Sequence, residues 1–216
     1  MLSKLKEPVS GFTHLAGALL SLAGTLALVV PAFRQGETVK AVSFLIFGLS
    51  LILLYSASAT YHLLRLDEKG NRVLRRIDHM MIYLLIAGTH TPICLVALPG
   101  AWGWGLLSVI GALAAAGIIL TLFVLNKPRW VTVTIYITMG WLALAAFVPL
   151  VRALPLGGVV WIVLGGVFYT VGAVVYARKK PDPFPGVFGF HEVWHLFVMA
   201  GSLCHYLAMF TAVQFL

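Results

Sequence analysis

Ionisable side chains stand at the ends of three apolar segments of this chain. His62 closes the second segment, Asp78 opens the third, and His191 and His195 open the seventh. A charged or metal-ligating side chain inside lipid is costly, so such residues usually face the protein interior and carry function. The sequence therefore predicts that these four side chains lie at one membrane depth, in one site.

The spacing of the histidines suits a bound metal ion. His191 and His195 are four residues apart, so they share one face of a helix, and Ser58 stands in the same relation to His62. Three imidazoles and an open position are the ligand set of a catalytic zinc site, although copper or nickel would accept the same nitrogens. We expect Zn²⁺ on the three histidines. Asp78 would then accept a proton from the activated water or orient a ligand.

Residues 191–195 read His-Glu-Val-Trp-His, which matches the H-E-x-x-H motif of zinc proteases. Those proteases often take a third ligand further along the chain, but no acidic residue follows His195, and Gly201 stands where the extended motif has its third histidine. His205, the downstream imidazole, lies about 15 Å beyond His195 along the helix. The third ligand is therefore expected upstream, at His62. An intramembrane protease is the less favoured alternative.

Membrane-spanning helices must position these side chains. Hydrophobic residues make up 61% of the 216 residues and charged residues 10%, with a mean hydropathy of +0.98, which is typical of a chain within a bilayer. A span needs roughly 20 apolar residues, and seven segments reach that length. We predict an all-α integral membrane seven-helix bundle, forming a single domain over residues 1–216. The predicted spans are 11–32, 41–62, 78–98, 102–125, 131–150, 157–177 and 189–213.

Lysine and arginine are divided unequally between the two sides of this bundle. Twelve of the 15 lie at the N-terminus and in the second, fourth and sixth connections. Cytoplasmic loops hold the excess of basic residues, so we expect a cytoplasmic N-terminus, an outside C-terminus and a site on the cytoplasmic side of the inner (plasma) membrane. The same loop charges account for the net charge of +8, and no nucleic-acid partner is expected.

Several runs of residues resemble the motifs of one family of membrane proteins. These runs are Ser58-Ala-Thr-Tyr-His62, Arg75-Arg-Ile-Asp78, Phe190-His-Glu-Val-Trp-His195-Leu-Phe and the opening Thr13-His14-Leu-Ala-Gly17. Together they resemble the progestin and adipoQ receptor superfamily and are most similar to its bacterial hemolysin III branch. The resemblance covers essentially the whole chain. It implies a seven-helix fold with a cytoplasmic N-terminus.

The resemblance also implies a ligand set and an activity. In the adiponectin receptors of that superfamily, three histidines and a water hold zinc, and these histidines correspond to His62, His191 and His195. An aspartate that contacts the water corresponds to Asp78, and a serine beside the site corresponds to Ser58. Those receptors are associated with hydrolysis of the amide bond of ceramide, and alkaline ceramidases look like distant relatives with a similar metal set. The name hemolysin III instead implies membrane lysis or pore formation.

We therefore expect a ceramidase-like, zinc-dependent hydrolase that cleaves an amide or ester bond of a membrane lipid. Asp78 would accept the proton of the attacking water, and Ser58 would hold the water or the oxyanion. Two alternatives stay open: a non-enzymatic sensor of membrane state with structural zinc, and a pore-forming cytolysin. A pore through one chain would need a continuous polar stripe, whereas the spans carry scattered Ser, Thr and His.

Four further ionisable residues have less specific predictions. His14 begins the first span and is expected either beside the site or in a packing or headgroup contact. His90 and His205 lie deeper, by roughly 18 Å and 15 Å from Asp78 and His195. We expect them to form interhelical hydrogen bonds, with a polar cavity as the alternative. Glu192 is expected to face the loop.

Overall fold

The computed structural model describes residues 5–98, 100–124 and 128–216. Within these ranges, seven helical segments are long and apolar enough to cross a membrane, which confirms the predicted all-α membrane bundle. The β contact seen in the described ranges is an isolated bridge between Phe184 and Phe188. Lys4 and Lys127, which belong to the predicted cytoplasmic charges, and Leu125, the end of the predicted fourth span, lie outside the described residues.

The spans follow one another in chain order with short connections. The helices are α1 (Pro8–Arg34), α2 (Thr38–Leu63), α3 (Glu68–Pro92), α4 (Ala101–Phe123), α5 (Arg129–Gly140), α6 (Phe147–Ala153), α7 (Leu156–Arg178) and α8 (Phe190–Thr211). A π-helical turn, Ile93–Ala97, extends α3, and a 3₁₀ stretch, Trp141–Ala146, joins α5 to α6. A last 3₁₀ turn, Val213–Phe215, follows α8.

Helix α3 begins ten residues earlier than predicted. The expected third span opens at Asp78, but the helix starts at Glu68, so most of the expected 63–77 loop is helical. The Asp67 side chain caps this helix by accepting a hydrogen bond from the Gly70 N–H at 2.8 Å. Hydropathy marks where the lipid begins and not where the helical backbone begins, so the helix can extend beyond the predicted span. Asp78 therefore lies nearly three turns inside α3.

Two spans change helix type within the membrane. Pro92 stands directly before the π turn, and Pro149 follows the 3₁₀ stretch by three residues. Proline has no N–H to donate, and its ring crowds the carbonyl four residues earlier, so a regular α-helix cannot continue through it undisturbed. The two irregular stretches belong to the span of α3 and to the span formed by α5 and α6.

The order of helix packing brings three helix ends together. Helix α1 packs along α2, α2 packs along α3, α7 packs along α8, and α1 also contacts α8. Large side chains such as Phe44, Phe47 and Met209 are fully buried between the helices. Many other apolar side chains, such as Leu20 and Phe33, face outward, where lipid can cover them. This packing places the start of α1, the end of α2 and the start of α8 at one end of the bundle.

Candidate metal centre

His62, His191 and His195 lie together at this end of the bundle. One ring nitrogen from each lies within 4.8 Å of the other two, and the Nε2 atoms of His62 and His191 are 3.3 Å apart. His62 belongs to the last turn of α2, whereas the other two occupy the first turns of α8. The sequence prediction that these three imidazoles converge is confirmed, and such a group could hold a metal ion.

The chemistry of this cluster fits a zinc ion. Both ring nitrogens of His195 are buried and make no hydrogen bond of normal geometry among the described residues, although the Ser10 backbone lies close to the ring. A buried polar atom without a partner costs roughly 1–3 kcal/mol, so a ligand for these nitrogens is favoured. Imidazole nitrogens suit zinc, and the two free cysteines, Cys94 and Cys204, are buried elsewhere in the fold. The donor set is therefore three imidazoles without a thiolate.

Asp78 and Ser58 lie beside the cluster, as predicted. Both side chains are buried, and the Ser58 hydroxyl lies near enough to the Asp78 carboxylate to interact with it. Asp78 is also close enough to His62 to interact with its charge. The two residues come from different helices, α3 and α2, and both line the same internal cavity. The early start of α3 thus leaves the predicted position of Asp78 relative to the histidines unchanged.

Glu7 is a site residue that the sequence reasoning missed. Its carboxylate contacts the Nδ1 atom of His62 directly. This hydrogen bond to His62 lowers the pKa of the Glu7 carboxyl below its ordinary value, although partial burial opposes the shift. A carboxylate on Nδ1 fixes the tautomer and orientation of an imidazole whose other nitrogen binds a metal. A signal was present in the sequence, because Glu7 directly precedes the first span at the end of the bundle that holds His62.

The segment before α1 holds Glu7 in this position. The Glu7 N–H donates to the His62 carbonyl at 2.8 Å. The Lys6 ammonium donates to the Tyr61 carbonyl at 3.3 Å and lies 3.4 Å from the centre of the Tyr61 ring. Burial lowers the pKa of Lys6. The N-terminal segment therefore docks on the last turn of α2, where it can orient His62.

Glu192 ties helix ends together instead of facing the three histidines. Its Oε2 atom accepts a hydrogen bond from the Gly189 N–H at 2.8 Å, at the start of its own helix. Its Oε1 atom accepts a hydrogen bond from the Ser10 hydroxyl at 2.6 Å. The glutamate of an H-E-x-x-H protease is the general base, and it needs a free oxygen toward the metal. Both oxygens of Glu192 are engaged, which disfavours the protease interpretation.

His14 packs directly against the cluster. Its ring stacks on His195, with centroids 3.7 Å apart and an angle of 8° between the planes. It also contacts the edge of Tyr55, with centroids 5.0 Å apart. His14 is only 3% exposed, so of the predicted alternatives a headgroup contact is wrong, whereas helix packing beside the site is confirmed.

The predicted interhelical hydrogen bonds of His90 and His205 are wrong. His90 Nδ1 donates to the Ile86 carbonyl and His205 Nδ1 donates to the Gly201 carbonyl, each at 2.8 Å. Each partner lies one turn earlier on the same helix, where a polar side chain can satisfy itself without a second helix. Both rings line a cavity, as the alternative expectation has it, but the walls of that cavity are mainly apolar.

This cavity measures about 110 Å³ and extends from the side of the cluster into the bundle, although His62, His191 and His195 are not among its described lining residues. Ser58, Asp78 and His14 line one end, and His90 and His205 line the other. The walls between them are mainly apolar and aromatic and come from α2, α3, α5, α7 and α8. Among the described lining residues, Asp78 is the single carboxylate, and no lysine or arginine is present.

The amino-acid sequence of this chain is similar to a known family and to several known proteins. The model of the family described as Haemolysin-III related matches residues 2–206. A protein named Hemolysin-3 from Bacillus cereus is 38% identical over 91% of this chain and 87% of its own length. A Hemolysin-3 homolog from Bacillus subtilis (strain 168) is 38% identical over 97% of this chain and 93% of its own. The human monocyte to macrophage differentiation factor is 26% identical over 76% of this chain and 67% of its own.

Proposed function

This chain belongs to the Haemolysin-III related family, and we propose that it is a zinc-dependent hydrolase of a lipid amide or ester bond. The seven apolar spans among its described residues, together with its family, make it a multi-pass integral membrane protein of the plasma membrane. One observation carries the proposal. Three imidazoles cluster beside a carboxylate and a hydroxyl, and the carboxylate and hydroxyl line one end of a mainly apolar cavity.

The side chains around the cluster divide the chemistry between them. Zinc held by His62, His191 and His195 would supply Lewis acidity, which polarises a carbonyl and activates water. Asp78 accepts the proton of the attacking water and returns it to the leaving amine or alcohol. A serine hydroxyl has one proton to donate, so Ser58 first orients Asp78. Once Asp78 is protonated, Ser58 is free to donate to the oxyanion.

The cavity supports a lipid as the substrate. Its walls are mainly apolar and its one carboxylate lies at the end beside the histidines, so an acyl chain can occupy the interior while the scissile bond stays at the cluster. An apolar chain in this position also excludes water and strengthens the electrostatic interactions at the reacting bond. The twelve basic residues near the same predicted face support entry from the cytoplasmic leaflet.

A lipid screen tests this function. Purified protein in nanodiscs made from a bacterial lipid extract doped with ceramides should release fatty acids that mass spectrometry detects. A zinc chelator should abolish the release, and added zinc should restore it. If zinc stays bound while no amide or ester lipid is cleaved, the hydrolase proposal is wrong and a sensor with structural zinc replaces it.

The name of the Bacillus cereus relative favours a second candidate, membrane lysis. A cytolysin would release a dye trapped in lipid vesicles in proportion to the added protein. That release would not depend on Asp78, since a pore needs no proton acceptor. Dye release by Asp78→Asn equal to that of the unaltered protein, without any fatty-acid release, would favour this candidate.

A further inference from the structure

Two buried imidazoles, His90 and His205, line the inner end of the cavity, far from the metal cluster. His90 lies twelve residues beyond Asp78 on α3, and His205 lies ten residues beyond His195 on α8. At 1.5 Å per residue these separations are about 18 Å and 15 Å. Both rings line the cavity of about 110 Å³ described above and also a smaller one of about 30 Å³. They therefore stand where the two cavities adjoin.

The hydrogen bonds of these rings determine what they can bind. The Ile86 and Gly201 carbonyls can only accept, so the Nδ1 atom of each ring must carry the proton. In the neutral ring that an apolar interior favours, Nε2 is then a bare acceptor. The Nε2 atom of His90 is buried and has no partner among the described residues. The inner end of the cavity thus offers one buried acceptor, His90 Nε2, that needs a donor.

The surrounding backbone is built around these rings. Gly140 and Trp141, at the change from α5 to the 3₁₀ stretch, line both cavities. A β-carbon at Gly165 would collide with the His205 ring, so only glycine leaves room for it. Irregular backbone at membrane depth is tolerated where it is buried in protein or lines a cavity. The helix break and the glycine together make space for a polar site within the membrane interior.

We propose that His90 and His205 form a second subsite, which accepts the hydroxyl group of a hydroxylated lipid chain. The lipid head lies at Ser58 and Asp78, and the chain follows the cavity inward to place a hydroxyl well down its length between the two imidazoles. This inference rests on the proposed lipid hydrolase, because it specifies which acyl chains that site prefers.

A neutral hydroxyl fits this subsite better than a cation. An ammonium group would need a nearby counter-charge. Asp78 is the single carboxylate among the described residues that line the 110 Å³ cavity, and it lies at the opposite end from the two imidazoles. A hydroxyl donates one proton and needs no counter-charge. Its hydrogen bond also satisfies an acceptor that is otherwise buried and unpaired. Chains without a hydroxyl leave His90 Nε2 unsatisfied and bind less tightly.

Equilibrium binding to the purified protein in detergent tests the subsite without any turnover. Tritiated ω-hydroxypalmitate is the probe, with palmitate, α-hydroxypalmitate and ω-aminopalmitate as competitors that share its carboxylate head. We expect ω-hydroxypalmitate to bind about tenfold more tightly than palmitate. α-Hydroxypalmitate, with its hydroxyl at the head, should resemble palmitate. Equal affinity for the ω-hydroxy and unsubstituted chains, or tighter binding of the ω-amino chain, would overturn the proposal.

Substitutions test whether the preference for ω-hydroxypalmitate over palmitate depends on the two rings. His90→Phe and His205→Phe should each reduce it, and the double substitution should remove it. Thr91→Val is the matched control, because Thr91 is buried beside His90, bonds only its own helix and does not line the cavities. A preference that survives the double substitution would overturn the assignment. If the histidine variants do not fold, the comparison of chains on the unaltered protein still decides.

The two proposals fail separately. A hydroxyl preference without hydrolysis of any lipid would leave the subsite standing and reject the hydrolase. Hydrolysis of lipids with no preference for chain hydroxyls would support the hydrolase and reject the subsite.

Discussion

At the scale of single residues, the acidic side chains near the cluster differ in what each one touches. Asp78 lies beside Ser58 and lines the cavity. The Glu7 carboxylate contacts the Nδ1 atom of His62. The two carboxylate oxygens of Glu192 accept hydrogen bonds from the Gly189 N–H and the Ser10 hydroxyl. In the proposed hydrolase, these contacts would make Asp78 the proton acceptor, Glu7 the residue that orients His62, and Glu192 a helix cap. Each role makes a different prediction for replacement of the carboxylate by its amide.

Asp78→Asn should keep the metal but lose lipid hydrolysis by at least roughly 10²-fold, as is typical when a general base is removed. The amide still accepts a hydrogen bond from Ser58 and leaves the three imidazoles in place. Glu192→Gln is the matched control and should have a much smaller effect. Fatty-acid release per zinc-loaded chain is the quantity to measure. If Glu192→Gln loses most of the fatty-acid release while Asp78→Asn loses little, the protease-like interpretation is favoured instead.

Glu7→Gln should weaken zinc binding by about 10- to 100-fold, because partners on the far nitrogen of a ligating imidazole typically have effects of that size. The zinc dissociation constant, measured by competition with a coloured chelator, tests this without an activity assay. Glu68→Gln serves as the control, since Glu68 is exposed and paired with Arg72. Equal affinities for the two variants would show that Glu7 has no part in orienting His62.

Spacing within single helices made the three histidines predictable. His191 and His195 lie one turn apart, and a charged or ligating group in a span is rare enough to stand out. Glu7 could not be placed by the same reasoning, because its contact depends on the docking of the N-terminal segment against α2. The bonds of His90 and His205 were also mispredicted, since spacing does not tell whether a side chain satisfies itself on its own helix.

At the scale of elements, the number and order of the spans followed from hydropathy, but their ends did not. The first turns of α3 are polar and basic, so they resemble a loop in composition while forming a helix. The cap at Asp67 is the local signal that marks the true start. Changes of helix type near Pro92 and Pro149 depend on how neighbouring helices accommodate the disturbed backbone. Composition alone does not determine that accommodation.

Asp67→Ala should lower the free energy of unfolding by about 0.5–2 kcal/mol, because it removes the acceptor for the first turn of α3. Asp67→Asn keeps a side-chain oxygen at the cap and should retain most of the stability. Unfolding of the purified protein in a detergent mixture, followed by circular dichroism, measures the difference. If both substitutions destabilise equally, the charge and not the cap is important. If neither does, the first turns of α3 do not depend on Asp67.

At the scale of the whole molecule, orientation determines which leaflet supplies the substrate. The division of basic residues predicts that the N-terminus and the histidine cluster face the cytoplasm and that the C-terminus lies outside. Alkaline phosphatase fused after Leu216 should be active, whereas the same reporter inserted after Lys180 should be inactive. A fluorescent protein that folds only in the cytoplasm should give the opposite pattern. A fluorescent fusion at Leu216 would contradict the orientation and the entry of lipid from the cytoplasmic leaflet.

The metal content of the purified protein tests the central claim most directly. Three imidazoles from two helices converge within 4.8 Å, so we predict about one zinc ion per chain. Alanine at His62, His191 or His195 should each lower the occupancy sharply, whereas alanine at His90 or His205 should leave it unchanged. Protein that binds no zinc, or equal zinc loss in the His90 and His205 variants, would contradict the account.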